Sequence, residues 1–199
     1  PVSIYARTAR PGRKVQWVEA TMVADGVEVA RAHGLRLRTD PDLELPLPDL
    51  AAPSVVPWSE SKPFAIRFEG KDNRVSTDGF WDVVETRIAR GSWVDPGSST
   101  VWFRLKLPIC AGETPSPLQR AAAAADFGNG VSSELPRGEF LFINADLSIH
   151  LYRHPVGEWV AVDGISSLNP AGIGVAACTL HDETGPFGRS LQSLLVGNL

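Results

Sequence analysis

The sequence contains few residues of the kinds that bind metals and no long uninterrupted apolar run. Its 199 residues include two cysteines and four histidines. No apolar stretch approaches the roughly 20 residues that a membrane-spanning helix needs, and the N-terminus shows no signal-peptide pattern. The sequence therefore predicts a cytoplasmic protein with no membrane partner.

Positive charge is also scarce. The formal net charge is −4, and the densest basic segment is the short stretch at residues 10–14. Domains that bind nucleic acid carry a basic patch, so nucleic acid is not an expected partner. Cys110 and Cys178 have no CxxC or Cys/His ligand spacing and are interpreted as reduced core thiols. His150 and His154 share a strand face but lack the third ligand that zinc usually requires, so no metal and no cofactor is predicted.

The sequence does contain alternating apolar and polar segments separated by turn residues. The first series fills about forty residues and is interrupted by a Pro-Gly and an Asp-Gly pair, which predicts three antiparallel strands. Residues 40–78 begin with a proline-rich stretch, and proline is excluded from helix and sheet interiors. We therefore divide the chain into a first unit at 1–39, a linker at 40–78 and a second unit at 79–199.

The second unit contains a predicted helix followed by further strands. Ser116, Pro117 and Gln119 provide the hydroxyl, the first-turn proline and the side-chain amide of a capping box, so a helix is predicted over 117–127. Its body is almost entirely alanine, which favours helix and lets backbones approach closely. Such a slender helix is suited to being wrapped by a curved antiparallel sheet. The strands of that sheet are predicted over 138–153, 158–168, 173–182 and 187–196.

Asp126 stands at the end of this predicted helix, directly before a segment with two glycines. The helix dipole disfavours a negative charge at a C-terminal end, and a carboxylate held there can serve as a general base. The competing interpretation is that Asp126 only ends a solvated helix before the chain breaks at the glycines. The residues alone leave both interpretations open.

The two series of strands resemble each other and suggest an internal repeat. Each has a turn with proline and glycine, a long strand, a tight turn and a last strand with an arginine near its start. Superposing Arg31 on Arg189 places Gly34 at the position of Gln192. The first copy has no counterpart of the helix, and we expect the missing elements to lie upstream of Pro1. Site chemistry that depends on Gln192 is therefore expected in the second unit only.

Three segments, SPLQRAAAAADFGNGVSSEL, FINADLSIHLYRHPVGEW and DETGPFGRSLQSLLV, together resemble the acyl-CoA thioesterase II-like superfamily of double-hotdog thioesterases. The resemblance is strongest over about residues 80–197. It implies an α+β hotdog fold, an antiparallel sheet around a central helix, in tandem with a first unit that is incomplete at its N-terminus. It also implies hydrolysis of acyl-CoA or related acyl thioesters without a cofactor. Exposed sheet edges need covering, so a homo-oligomer formed by sheet pairing is expected.

The resemblance also implies roles for particular residues. In this superfamily an aspartate on the helix, a threonine on the next strand and a glutamine on the last strand hold the attacking water. Asp126 and Gln192 match, and the threonine position falls on Asn144, whose amide can still donate and accept hydrogen bonds. Alternation places Asn144 opposite the apolar face, so either the strand bulges there or the site lies at a seam between units. The backbone N–H groups at Gly128, Asn129 and Gly130 are expected to contact substrate, since glycine permits close approach.

Recognition of the CoA phosphates has no clear sequence signal. Arg120, Arg137 and Arg153 are candidates by charge alone. The alternative function is a non-catalytic hotdog module that binds acyl chains or supports assembly, because a scaffold does not by itself imply hydrolysis. Hydrolysis predicts that Asp126 and Gln192 meet at the mouth of an apolar tunnel, whereas a solvated Asp126 favours the alternative.

Overall fold

The computed structural model describes residues 1–47, 54–65 and 79–199, and it contains two compact units, Pro1–Leu50 and Ala51–Leu199. The first unit is an antiparallel sheet of β1 (Val2–Arg10), β2 (Val15–Ala24) and β3 (Val27–Leu37), in the order β1-β2-β3. The three strands predicted for this part of the chain are confirmed. Asp25 and Gly26 join β2 to β3 with φ values of 49° and 79°, the left-handed conformation that a two-residue hairpin turn of this type requires.

The second unit is built on an eight-stranded sheet. Its strands are, in chain order, Lys62–Phe64 (β4), Val84–Arg90 (β5), Ser99–Leu105 (β6), Phe140–Asn144 (β7), Ser148–Leu151 (β8), Val160–Asn169 (β9), Ile173–Asp182 (β10) and Gly185–Asn198 (β11). They are paired in the order β4-β5-β6-β9-β10-β11-β7, with β8 also pairing with β11, and every pairing is antiparallel. A 3-10 turn at Phe80–Val83 precedes β5, and two helices follow β6: α1 (Pro117–Ala125) and α2 (Gly128–Val131).

The predicted linker at 40–78 is too long. Its described residues 54–65 include β4, which pairs with β5. Trp58 stacks on Trp159 with ring centroids 5.1 Å apart, and the Nε1 of Trp102 donates a hydrogen bond to the carbonyl of Val56 at 2.8 Å. Residues 54–65 are therefore a packed part of the second unit, while 48–53 and 66–78 lie outside the described residues.

Helix α1 begins where the sequence predicts. The Oγ of Ser116 accepts a hydrogen bond from the Gln119 N–H at 3.2 Å, and the Gln119 side chain accepts one from the Ser116 N–H at 2.7 Å. The capping box is therefore confirmed. The helix buries Ala121, Ala124 and Ala125 against β6, β9 and β10. The antiparallel sheet around a central helix is the expected α+β hotdog arrangement, which the structure confirms.

The predicted long strand at 138–153 is two strands joined by a bulge. Asn144 pairs with Leu194 and Ser148 with Leu191, so four steps along this strand oppose three along β11. The extra residue reverses which side chains face the helix. Ile143 is exposed, whereas Leu147, Ile149 and Leu151 pack against the core. The strand is therefore not continuous, and of the two alternatives predicted for Asn144, a bulge or a seam between units, the structure has the bulge, which brings Asn144 to the inner face.

No helix among the described residues is both long enough and apolar enough to cross a bilayer.

Candidate active site

Asp126 lies at the C-terminal end of α1, where the chain passes directly into α2. Its backbone N–H still donates to the carbonyl of Ala122 at 3.3 Å, and its side chain is exposed. The next residue, Phe127, is buried, with its ring stacked on that of Phe103 at 4.3 Å. Since Phe127 is anchored in the core, the carboxylate of Asp126 projects from a fixed point on the backbone.

Asn144 reaches the same carboxylate from the end of β7. Its Nδ2 donates a hydrogen bond to Oδ1 of Asp126 at 3.2 Å. The bulge after β7 makes this contact feasible, because Asn144 shares the inner face with Leu194, the buried residue opposite it. The structure therefore brings together two of the three side chains that the sequence predicts for catalysis.

Gln192 approaches Asp126 through the backbone. The residue is 2% exposed, and its Nε2 donates a hydrogen bond to the main-chain carbonyl of Asp126 at 3.1 Å. Its Oε1 accepts a hydrogen bond from the N–H of Asn129 at 2.7 Å, and the Asn129 side chain donates to the carbonyl of Phe142 at 3.3 Å. Gln192 thus links the end of α1 to the start of α2, and its side chain makes no direct hydrogen bond to the carboxylate of Asp126 in the described structure.

The glycines after Asp126 allow close packing within the protein. A Cβ on Gly128 would lie 2.7 Å from Oε1 of Gln192 and 3.1 Å from Sγ of Cys178. A Cβ on Gly130 would lie 2.9 Å from the ring of Trp93. The space that the missing side chains of these glycines leave is therefore filled by other residues of the same chain, Gln192, Cys178 and Trp93. The N–H of Asn129, one of the three groups expected to contact substrate, is already bonded to Gln192.

The three arginines considered for the CoA phosphates all donate hydrogen bonds to the protein itself. Arg120 donates to a backbone carbonyl at 3.1 Å. Arg137 donates to the carbonyls of Trp93 and Gly130 and lies over the Trp93 ring at 4.4 Å. Arg153 forms an ion pair. Each therefore has at least one structural contact in this fold.

The partner of Arg153 is Asp182, a buried carboxylate that sequence reasoning did not single out. Its side chain has 0% exposure and also accepts hydrogen bonds from the N–H groups of Val156 and Thr184, each within 2.8 Å. Burial acts to raise the pKa of Asp182, but the hydrogen bonds from Arg153 and these backbone groups outweigh it and hold the pKa well below its usual range. The Asp-x-Thr spacing was a signal for the local turn, but nothing in the sequence indicated the pairing with Arg153.

Neither buried candidate nucleophile suits covalent catalysis. Burial raises the pKa of the Cys178 thiol to about 11, so the thiolate is scarce at neutral pH. Ser190 is 1% exposed within β11, facing the interior. Among the described residues, no three His, Cys, Asp or Glu side chains lie together in a way that could hold a metal ion.

The antiparallel sheet around a central helix defines a hotdog protein. The family model for the acyl-CoA thioesterase C-terminal domain matches residues 45–196. The chain belongs to that family. Membership supports thioester hydrolysis as the general class of activity.

Solved structures agree with this fold. A thioesterase II candidate from Thermobifida fusca YX is 21% identical, with a TM-score of 0.68 over 99% of this chain and 73% of that one. A hotdog-fold protein from Alicyclobacillus acidocaldarius is 18% identical, with a TM-score of 0.65 over 98% and 72% of the two chains. Acyl-CoA thioesterase II TesB2 from Mycobacterium marinum is 15% identical, with a TM-score of 0.64 over 98% and 73%. At these identities the likeness establishes the fold alone. Among curated proteins, none matches the sequence.

Proposed function

We propose that the protein hydrolyses acyl-CoA or related acyl thioesters with a water molecule activated by Asp126. The observation that carries the proposal is the 3.2 Å hydrogen bond from Asn144 to the Asp126 carboxylate, formed between residues 18 positions apart at the end of the central helix. Membership of the acyl-CoA thioesterase family supports the same activity.

The reaction requires a base for the attacking water. Asn144 occupies Oδ1 of Asp126, which leaves Oδ2 to accept a proton from water as its oxygen attacks the thioester carbonyl. The tetrahedral intermediate then collapses with cleavage of the C–S bond, and the leaving thiolate takes up the proton. Thioester and water become a carboxylic acid and a thiol. A positioned base of this kind contributes about 10²–10⁴-fold to the rate.

The contacts of Gln192 favour a positioning role over direct orientation of the water. Both ends of its amide bind backbone groups, the carbonyl of Asp126 and the N–H of Asn129. A buried amide with two such partners holds the helix end in place, so that the carboxylate and Asn144 keep their geometry. Gln192 would then act through Asp126 rather than on the substrate.

A second candidate function, non-catalytic binding of acyl chains or support of assembly, is favoured by one observation. The Asp126 side chain is exposed. Electrostatic interactions of a carboxylate in water are weaker than those of a carboxylate in a dry site. In this case the hydrogen bond from Asn144 would only stabilise the helix end.

Measurement of acyl-CoA hydrolysis distinguishes the two candidate functions. Purified protein is assayed against an acyl-CoA series from short to long chains, with detection of the released thiol, alongside direct measurement of acyl-CoA binding. Hydrolysis that is lost in Asp126→Asn while binding persists supports the proposed enzyme. Binding without thiol release in the unmodified protein supports the non-catalytic module, and unchanged turnover in Asp126→Asn removes Asp126 from the mechanism.

A further inference from the structure

The bulge between β7 and β8 determines which face of the sheet Asn144 occupies. Leu147 and the apolar residues of β8 pack against the core, so strict alternation back along the chain would place residue 145 inward and Asn144 outward. Asn144 instead lies on the inner face, opposite the buried Leu194. The hydrogen bond from Asn144 to Asp126 therefore requires the bulge.

Ser193 of β11 faces the bulge and binds it with both of its backbone groups. It lies between the residues of β11 that pair with β7 and those that pair with β8. Its carbonyl accepts a hydrogen bond from the N–H of Ala145 at 2.9 Å. Its N–H donates a hydrogen bond to Oδ1 of Asp146 at 2.6 Å. A side-chain carboxylate therefore takes the place that a backbone carbonyl has in a regular antiparallel ladder.

Asp146 binds Ser193 in its ionised form. The hydrogen bond from the Ser193 backbone, together with one from the Ser193 hydroxyl, holds the pKa of Asp146 below its ordinary value, so the carboxylate is ionised at neutral pH. A hydrogen bond to an ionised acceptor is roughly twice as strong as one between neutral groups. Because Asp146 is exposed, this bond adds little to the stability of the whole fold, but it acts directly at the bulge.

We propose that Asp146 is a positioning residue for hydrolysis, whose carboxylate fixes the bulge that presents Asn144 to Asp126. This role rests on the proposed function, because it acts through the two side chains assigned there to the attacking water. The carboxylate of Asp146 is bonded to Ser193 on the neighbouring strand. Its effect on the water is therefore transmitted by the backbone of the bulge to the side chain of Asn144.

The strand pairings on either side of the bulge limit the effect of losing this carboxylate. β7 and β8 each pair with β11 in their own register, so the extra residue stays in place without Asp146. What is lost is the bond that fixes the conformation of the extra residue. The Asn144 side chain then also adopts orientations in which Oδ1 of Asp126 is not occupied. Loss of Asp146 therefore lowers turnover by no more than loss of the Asn144 side chain itself.

Steady-state kinetics of acyl-CoA hydrolysis by the full chain test the proposal. We expect Asp146→Ala to lower kcat by about three- to tenfold with KM unchanged, because Asp146 acts on the attacking water and not on substrate binding. Asp146→Asn keeps an oxygen that can accept the Ser193 N–H and should recover most of the lost kcat. Glu139→Ala removes an exposed carboxylate directly before β7 and should leave kcat unchanged. Equal kcat in Asp146→Ala and Glu139→Ala would overturn the proposal.

A double variant tests whether Asp146 acts through Asn144. In the Asn144→Ala background no side-chain amide remains to be positioned, so adding Asp146→Ala should cause no further fall in kcat. Two residues that act independently would instead lower kcat by the product of their single effects. A double variant that shows this product would contradict the route through Asn144.

A second measurement does not depend on turnover. The side-chain amide of Asn144 is bonded to Asp126, so its signals in a nitrogen–proton correlation NMR spectrum report this contact. We expect Asp146→Ala to move these signals and to speed the solvent exchange of the Ser193 amide, and Glu139→Ala to change neither. Absence of acyl-CoA hydrolysis with moving Asn144 signals would refute the proposed function and support the coupling of Asp146 to Asn144. Asn144 signals that do not move in Asp146→Ala would refute that coupling.

Discussion

Gln192 binds the backbone at Asp126 and just after it, through a 3.1 Å hydrogen bond to the Asp126 carbonyl and a 2.7 Å bond from the Asn129 N–H. The two side chains are 66 residues apart in the chain. Because Gln192 is buried, its loss would remove the side-chain partner of two half-buried backbone groups. The position of the exposed carboxylate therefore depends on a remote and buried amide.

The hydrogen bond between Asn144 and Asp126 predicts a modest catalytic effect. Asn144→Ala removes the donor to Oδ1, and we expect turnover to fall by about tenfold, which corresponds to roughly 1.4 kcal/mol in the barrier. The melting temperature should change little, because the bond is exposed. The measurement is kcat for acyl-CoA hydrolysis, with Ser148→Ala on the next strand as the control. Equal turnover in both variants would show that Asn144 has no role.

Truncation of Gln192 should affect both stability and turnover. We expect Gln192→Ala to lower the free energy of unfolding by about 3 kcal/mol, from the lost hydrogen bonds and the cavity. Turnover should fall strongly even at temperatures where circular dichroism shows the variant folded.

Gly34→Ala in the first unit is the comparison for Gln192→Ala. It should affect mainly folding, since the added Cβ would lie 2.7 Å from Cγ2 of Val18. Full activity in folded Gln192→Ala would contradict the positioning role.

Glycine is required at position 128 for this geometry. A methyl group there would lie 2.7 Å from Oε1 of Gln192, so Gly128→Ala should displace the amide and lower the free energy of unfolding by about 1–3 kcal/mol. Turnover of acyl-CoA should also fall in Gly128→Ala, because the amide of Gln192 is displaced. Gly197→Ala, in β11 with no atom within 4 Å of the added Cβ, is the matched control. Denaturant unfolding of both variants measures the difference, and equal stabilities would exclude a steric requirement.

The internal repeat predicts one catalytic site in each chain. The position equivalent to Gln192 in the first unit is Gly34, which has no side chain to hold a helix end. A non-hydrolysable acyl-CoA analogue should therefore titrate at one equivalent per chain by calorimetry, with Asp126→Asn as a variant that binds without turnover. Binding of two equivalents of the analogue per chain would mean that each chain has a second site, formed by residues other than Asp126, Asn144 and Gln192.

The buried ion pair between Asp182 and Arg153 predicts acid sensitivity. The pKa of Asp182 is depressed in the folded protein, so the unfolded chain binds its proton more readily once the pH falls below the ordinary value near 4. The stabilisation is complete above that pH and is lost progressively below it. Asp182→Asn should be less stable than the unmodified protein at pH 7 and show a weaker loss below pH 4, as measured by urea unfolding across a pH series.

An exposed neighbour supplies the control for this pH effect. Glu183→Gln also removes a carboxylate, but one that is exposed beside the pair. We expect this variant to keep the stability and the acid response of the unmodified protein. An Asp182→Asn variant with the same pH profile as Glu183→Gln would show that the ion pair does not determine the acid response.

Local patterns in the sequence predicted much of the fold because the interactions they describe are short in range. The capping box at Ser116 and Gln119 involves residues three apart, and it forms as expected. Alternation and turn residues located most strands of both units for the same reason, although β4 fell within the predicted linker. For the strand at 138–153 the sequence could give a bulge only as one of two alternatives, because a bulge depends on the register with β11, which alternation within one strand does not specify.

By itself, the sequence determined the central helix, its start at Ser116, most of the strand segments along the chain and the position of Asp126 at the helix end. Each of these follows from capping, periodicity and turn chemistry within a few residues. Only the tertiary structure decided that Asn144 reaches Asp126, that Gln192 binds the backbone beside it and that Arg153 pairs with Asp182. These contacts join residues 18, 66 and 29 positions apart, and they depend on sheet register and on the direction in which each side chain points, which only the packed fold specifies.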